Sequence, residues 1–157
     1  MGINLSERLC SCNRRTTKIH ESNIGVNMFS HIMLGANDLE ASKTFYDAVL
    51  GELGAKPGVL SPNSHGHKRY FYFLSGSIFI ITEPINDEPA THGNGSTIGF
   101  KAESPEDADA WHAAGVANGG KAIEDPPGIR EGNGMQLYLA YLLDPAGNKI
   151  CAMHTVS

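Results

Sequence analysis

The segment His31 to Gly54, HIMLGANDLEASKTFYDAVLGELG, confines the chain to few folds because it sets a strand, a capped helix and a helix stop in one short run. His31 to Ala36 is short and apolar, as a buried strand is. Asn37 followed by Glu40 predicts a capping box, in which a side-chain oxygen opens the helix and a carboxylate reaches back. Leu39, Ser42, Phe45, Tyr46, Val49, Leu50 and Leu53 then recur at three- and four-residue steps, drawing an apolar stripe along one side of a helix that Gly54 stops. A stripe of that width must be covered by another layer of the fold.

The pattern returns sixty-six residues later. Ile98, Gly99 and Phe100 fall on Ile32, Met33 and Leu34, and Ser104 with Pro105 behind it opens a second helix as N-cap and first-turn proline. Trp111 lands on Phe45 and Gly120 on Gly54, while Ala108, Trp111, His112 and Gly115 repeat the stripe. One strand-helix unit used twice explains this spacing, although glycine-stopped amphipathic helices are common enough to leave coincidence open.

Composition removes several classes of function. With 12 Lys and Arg against 17 Asp and Glu, the formal charge is −5, and the chain lacks the concentrated basic face that nucleic acids or anionic membranes demand. Its 157 residues, 41% of them hydrophobic, suffice for one good core or two small fused ones. Three cysteines, Cys10, Cys12 and Cys151, make neither a disulfide framework nor a zinc ribbon, so a reducing cytoplasm is expected. Residues 1–27 are polar, with four Lys or Arg against two Glu and no apolar run of signal-peptide length, and read as an extension or leader ahead of the body.

Within the body, Pro57 to Lys68 reads as loop, Arg69 to Leu74 as an aromatic strand, Ser75 to Ser77 as a turn, and Ile78 to Thr82 as a strand buried on both faces. Ile85 to Gly95 is a linker by composition, dividing residues 28–85 from 96–155. Lys121 to Asp125 is a short candidate strand and Ile129 to Gly134 reads as loop. A hairpin closes the chain, Met135 to Leu143, a turn at Asp144 to Gly147, then Lys149 to His154. Each half reads βαβββ, an α+β fold.

SHIMLGANDLEASKTFYDAVLGELG and, much later, YLLDPAGNKICAMH together resemble the vicinal oxygen chelate superfamily of glyoxalases, bleomycin resistance proteins and extradiol dioxygenases. The resemblance spans Met28 to His154. It implies paired βαβββ modules whose curved mixed sheets enclose a cavity, commonly in a homodimer, and in the enzymes that cavity holds a divalent metal. The metal-dependent relatives carry one ligand on the first strand of a module and another on the last. Those positions are His31, Ile80, Thr97 and Cys151 here. His31 matches, whereas Ile80 has no donor and a threonine hydroxyl is a poor ligand, so at most His31 and Cys151 remain where about three protein ligands are needed. No metal cofactor is therefore expected at the positions the enzymes use.

Strand alternation suggests what else shares that cavity. Folding the last hairpin sets Tyr141 opposite Cys151, and folding the first is expected to set Tyr72 and Tyr70 on the face of Ile80; His154 points to the other side. His65, His67 and His92 lie in loops, and Asp87-Glu88 and Glu124-Asp125 read as solvated loop charges. The expected site is thus His31, Tyr72, Thr97, Tyr141 and Cys151, with His31 the candidate catalytic or anchoring group. The function that fits is binding of a small organic molecule in an internal pocket without the usual metal. The alternative is a metal-dependent lyase, isomerase or dioxygenase using His31 and Cys151 with a further ligand, or a metal-free acid-base catalyst using His31.

Overall fold

The computed structural model describes residues 28–132 and 134–156 of the chain. The leader, residues 1–27 with Cys10 and Cys12, lies outside them. The body is α+β, with two modules of βαβββ type in sequence, the outer strand of the second being in two pieces, β6 and β7. The first comprises β1 (Ile32–Gly35), α1 (Leu39–Glu52), β2 (Val59–Leu60), β3 (Arg69–Leu74) and β4 (Ser77–Thr82). The second comprises β5 (Ile98–Lys101), α2 (Pro105–Ala117), β6 (Lys121–Ala122), β7 (Gly128–Gly132), β8 (Met135–Leu143) and β9 (Lys149–Thr155). No helix among the described residues is long and apolar enough to cross a membrane.

Both modules wind the same way. In sheet 1 the order is β1-β4-β3-β2, and in sheet 2 it is β5-β9-β8-β6 with β7 also on β8. In each, the first strand lies parallel to the last across a helical crossover, Ile32 beside Phe79 and Ile98 beside Ile150, while the other pairs are antiparallel. Two expectations about loops fail here. Gly128–Gly132 is strand, not loop: β8 runs nine residues, more than the two of β6 can pair, and Pro126-Pro127, lacking N–H donors, split its outer edge into two pieces. Likewise Val59–Leu60 in the expected loop 57–68 forms a two-residue edge on β3. Both are short and exposed, so neither shows the alternation by which a strand is read.

The helix starts also differ in detail. Asp38, not Asn37, caps α1, its Oδ1 accepting from Ala41 N at 2.9 Å. Asn37 is occupied elsewhere: its side chain accepts from Ala90 N (2.7 Å) and donates to Ala90 O (3.0 Å), pinning the linker to the first module. Glu40 accepts from the Tyr70 hydroxyl at 2.8 Å. Ser104 does cap α2, accepting from Asp107 N at 3.1 Å. The helices stop at left-handed glycines, Gly54 (φ 91) and Gly119 (φ 93), the latter one residue before the Gly120 that spacing suggests.

The helices and one face of each sheet share a single core. Phe45, Tyr46 and Val49 of α1 and Trp111 of α2 are fully buried. Phe79 of sheet 1 and Phe100 of sheet 2 meet edge to face with ring centroids 5.3 Å apart, so the helix-facing sides of both sheets converge. A polar clamp ties the modules within this core. Asp144, 5% exposed, accepts from the Tyr46 hydroxyl at 2.8 Å, from Asn148 Nδ2 at 2.9 Å and from the backbone N–H groups of Ala146 (2.9 Å) and Asn148 (2.8 Å).

That clamp carries a pH dependence. Burial first, then the charge of Asp144 and the hydrogen bond to it, hold the Tyr46 phenol well above its ordinary range. In the unfolded chain the phenol ionises near pH 10. Stability is therefore complete below about pH 10 and falls above it, where the unfolded chain loses a proton that the folded chain keeps, by up to about 1.4 kcal/mol per pH unit. Urea midpoints measured from about pH 9 to 11.5 should show this decline, and Tyr46→Phe should make it shallower, the other raised phenols, Tyr72 among them, keeping the rest. An unchanged slope in that variant would exclude Tyr46 as its source.

Candidate functional site

Because the helix-facing sides are consumed by the core, each sheet turns its other side away from that core, with Ile80 and Cys151 left out of the core cluster though little exposed. On sheet 1 the open side carries Met33, Ile80 and Phe71 in one row, followed by Phe73 and Val59. Met33 is 40% exposed and Phe73 58%, while Ile80, between Met33 and Phe71, is 3% exposed. On sheet 2 the open side carries Gly99, Cys151 and Tyr141 in one row, flanked by Lys149, Leu139 and Met153.

These rows distribute the expected site residues. Cys151 and Tyr141 are direct neighbours across β9 and β8, as expected. Thr97 lies exposed immediately before β5, at the end of the same side. His31 is exposed, one residue ahead of β1, with Nδ1 3.0 Å from Ser30 Oγ; alternation from Met33 gives it the open side of sheet 1. Tyr72 has to be corrected. The turn at Ser75-Gly76 closes the hairpin with Leu74 opposite Ser77, which sets Phe71 against Ile80 and Tyr72 against Phe79. Tyr72 is therefore in the core, its hydroxyl donating to Asp47 Oδ1 at 3.1 Å, and Tyr70 points the same way. Folding the hairpin one residue out of register, as the sequence suggests, moves every side chain to the wrong face. His31 and Cys151 thus lie on open faces of different sheets, both turned from the common core, and no internal cavity of one chain gathers the five residues.

The row around Cys151 is richer than the sequence discloses. Burial raises the Cys151 thiol above its ordinary range, more than the nearby Lys149 ammonium lowers it, so the sulfur is an S–H near neutral pH. Burial, with the neighbouring Cys151 and Glu124, also raises the Tyr141 phenol, again against Lys149 and Arg130. The Lys149 ammonium lies 4.8 Å from the centre of the Tyr141 ring and pairs with Glu124. Glu124 holds a left-handed backbone, φ 60, an unusual conformation for a residue with a long side chain. Arg130 on β7 folds back over Gly128, where an added Cβ would lie 3.3 Å from its Nη1. Lys149 was legible from alternation, two residues before Cys151; Arg130 was hidden by the loop reading and Glu124 by being taken as solvated.

The profile of the Glyoxalase/Bleomycin resistance protein/Dioxygenase superfamily matches residues 28–152. The chain belongs to this superfamily. Among solved structures it is 62% identical to a glyoxalase/bleomycin resistance protein from Albidiferax ferrireducens T118, with a TM-score of 0.75 over 82% of this chain and 99% of that one. A superfamily enzyme from Burkholderia phytofirmans PsJN is 20% identical, TM-score 0.57, covering 79% of this chain and 95% of that one. The fosfomycin resistance protein FosX of Listeria monocytogenes is 18% identical, TM-score 0.63, covering 83% and 95%. At such identities these two share the fold. No match was found among curated proteins.

Register bears on the metal that superfamily enzymes carry. Ile80 pairs with Met33 and Cys151 with Gly99, so Ile80 and Cys151 occupy matching rungs of the two modules. Of the four corresponding positions, Ile80 offers no donor and Thr97 only a neutral hydroxyl, which leaves His31 and Cys151, two donors where a catalytic metal takes about three from the protein. Among the described residues no three His, Cys, Asp or Glu side chains cluster closely enough to hold an ion.

Proposed function

We propose that this superfamily member binds a small organic molecule, without a metal of its own, in a cleft formed when the open face of sheet 2 meets the open face of sheet 1 from a second copy. The observation that carries this reading is the pair of sheet faces turned from the core, one apolar around Met33, Phe71 and Phe73, the other bearing Tyr141, Cys151 and Lys149 beside the gap that Gly99 leaves. Exposed apolar area of that kind on a folded body marks a surface meant for a partner or ligand. A homodimer joining unlike faces would set His31 and Cys151 across one cleft, twice per dimer. There the aromatic rings supply contact area and Tyr141 a hydrogen-bond donor.

The test has two parts. Light scattering at tens of micromolar should give a dimer, and a thermal-shift screen of small organic compounds should give hits whose stabilisation is the same with chelator and with added divalent metal. His31→Ala should weaken such a hit by roughly tenfold if His31 lines the cleft, and His65→Ala should leave it unchanged. A monomer at those concentrations would end the reading. Hits that depend on zinc, manganese or iron, and lose that dependence in His31→Ala, would replace it with the metal-dependent lyase, isomerase or dioxygenase.

A further inference from the structure

We infer that the ligand of this cleft carries an anionic head group on an apolar or aromatic body, with the head seated beside Tyr141 between Lys149 and Arg130. The inference rests on the reading of the sheet 2 open face as a ligand face and adds the class of ligand.

The first ground is charge. The chain is acidic overall, with five more acidic than basic residues, yet the charges beside Tyr141 are Lys149 and Arg130 against the single carboxylate of Glu124. Glu124 already pairs with Lys149. Arg130 makes no ion pair among the described residues; its guanidinium donates to the carbonyls of Pro126 (2.9 Å) and Ile129 (3.3 Å). Those bonds fix its position without neutralising it. One positive charge is thus left without a carboxylate paired to it among the described residues, and a charge-assisted hydrogen bond to an anion would satisfy it.

The second ground is donor balance. Tyr141 and Cys151 stand side by side in one row, the phenol a hydrogen-bond donor, and the two cations offer N–H groups. A ligand that matches this rim is rich in acceptors and carries negative charge, as a carboxylate, sulfonate or phosphonate does. The third ground is the floor beside the row. Leu139 and Met153 pair across β8 and β9 on the same side, and Gly99 leaves no side chain over the Cys151 sulfur, which suits a flat apolar body rather than a second polar group.

Two fluorescent probes of nearly equal shape separate the ideas: the anion 8-anilinonaphthalene-1-sulfonate and neutral N-phenyl-1-naphthylamine, which lacks the sulfonate. The folded dimer should bind the sulfonate about tenfold more tightly, and about 0.5 M sodium chloride should erase most of the difference. Lys149→Met and Arg130→Met should each weaken the sulfonate by roughly tenfold and leave the neutral probe unchanged, while Glu124→Gln should tighten the sulfonate several-fold. Lys68→Met, away from this face, should change neither. Equal binding of the two probes, indifferent to Lys149 and Arg130, overturns the anionic head and leaves the cleft standing. Failure of both probes to bind the folded protein removes the cleft, and this inference with it.

Discussion

Asp144→Ala should lower the unfolding free energy by roughly 3 to 5 kcal/mol, a large share of the 5 to 15 kcal/mol typical of a domain. The carboxylate ends four hydrogen bonds. Its removal leaves the Tyr46 hydroxyl, on a residue with no exposed surface, without its acceptor and also strips the Ala146 and Asn148 N–H groups. Each such stranded buried group costs about 1 to 3 kcal/mol. Tyr46→Phe removes the donor with its bond and should cost far less, about 1 kcal/mol, because Asp144 Oδ2 keeps the Asn148 Nδ2 donor and the carboxylate as a whole keeps three. Urea denaturation of the three proteins decides this. If Asp144→Ala and Tyr46→Phe fall within error of each other, the turn does not depend on the carboxylate.

Gly115→Leu should be comparably damaging, at roughly 3 kcal/mol or more, and even Gly115→Ala should destabilise despite alanine's better helix propensity. A Cβ at Gly115 would lie 2.3 Å from Leu142 Cδ1, 3.1 Å from Val49 Cγ1 and 3.2 Å from Phe45 Cε2. The propensity gain is about 1 kcal/mol, while forcing side chains aside in a packed core costs about 1 to 3. Overpacking wins because α1 and β8 both close on the same point of α2. Thermal unfolding is the measurement, and an alanine variant that melts above the parent protein would show that the core yields there.

The two stretches that made the fold legible are the ones where periodicity and punctuation coincide. Leu39 to Leu50 buries the residues its spacing selects, and Ser104-Pro105 opens α2 where a hydroxyl and a proline say it should. Edge strands were not legible, because Val59–Leu60 and Gly128–Gly132 are specified by the neighbour they pair with and carry no alternation of their own. The candidate site was legible in part. Tyr141 opposite Cys151 follows from the turn at Asp144 to Gly147, whereas Tyr72 was assigned to the wrong face through a one-residue error in the first hairpin. Asn37 shows the same limit at the scale of a single cap: two adjacent residues could each open α1, and the choice was made by a linker more than fifty residues away.

The shared core has a consequence for how the two halves can drift apart. Several matched positions that face inward are alike, Ile32 with Ile98, Leu34 with Phe100 and Phe45 with Trp111, around the Phe79–Phe100 contact, while Tyr46 answers to His112 and Val49 to Gly115. Matched positions that face outward differ: His31 answers to Thr97, Met33 to Gly99 and Ile80 to Cys151. The row on one sheet is apolar, while its twin carries a thiol, a phenol and a lysine. New specificities in chains of this kind should therefore arise from substitutions on the outward rungs, one sheet at a time.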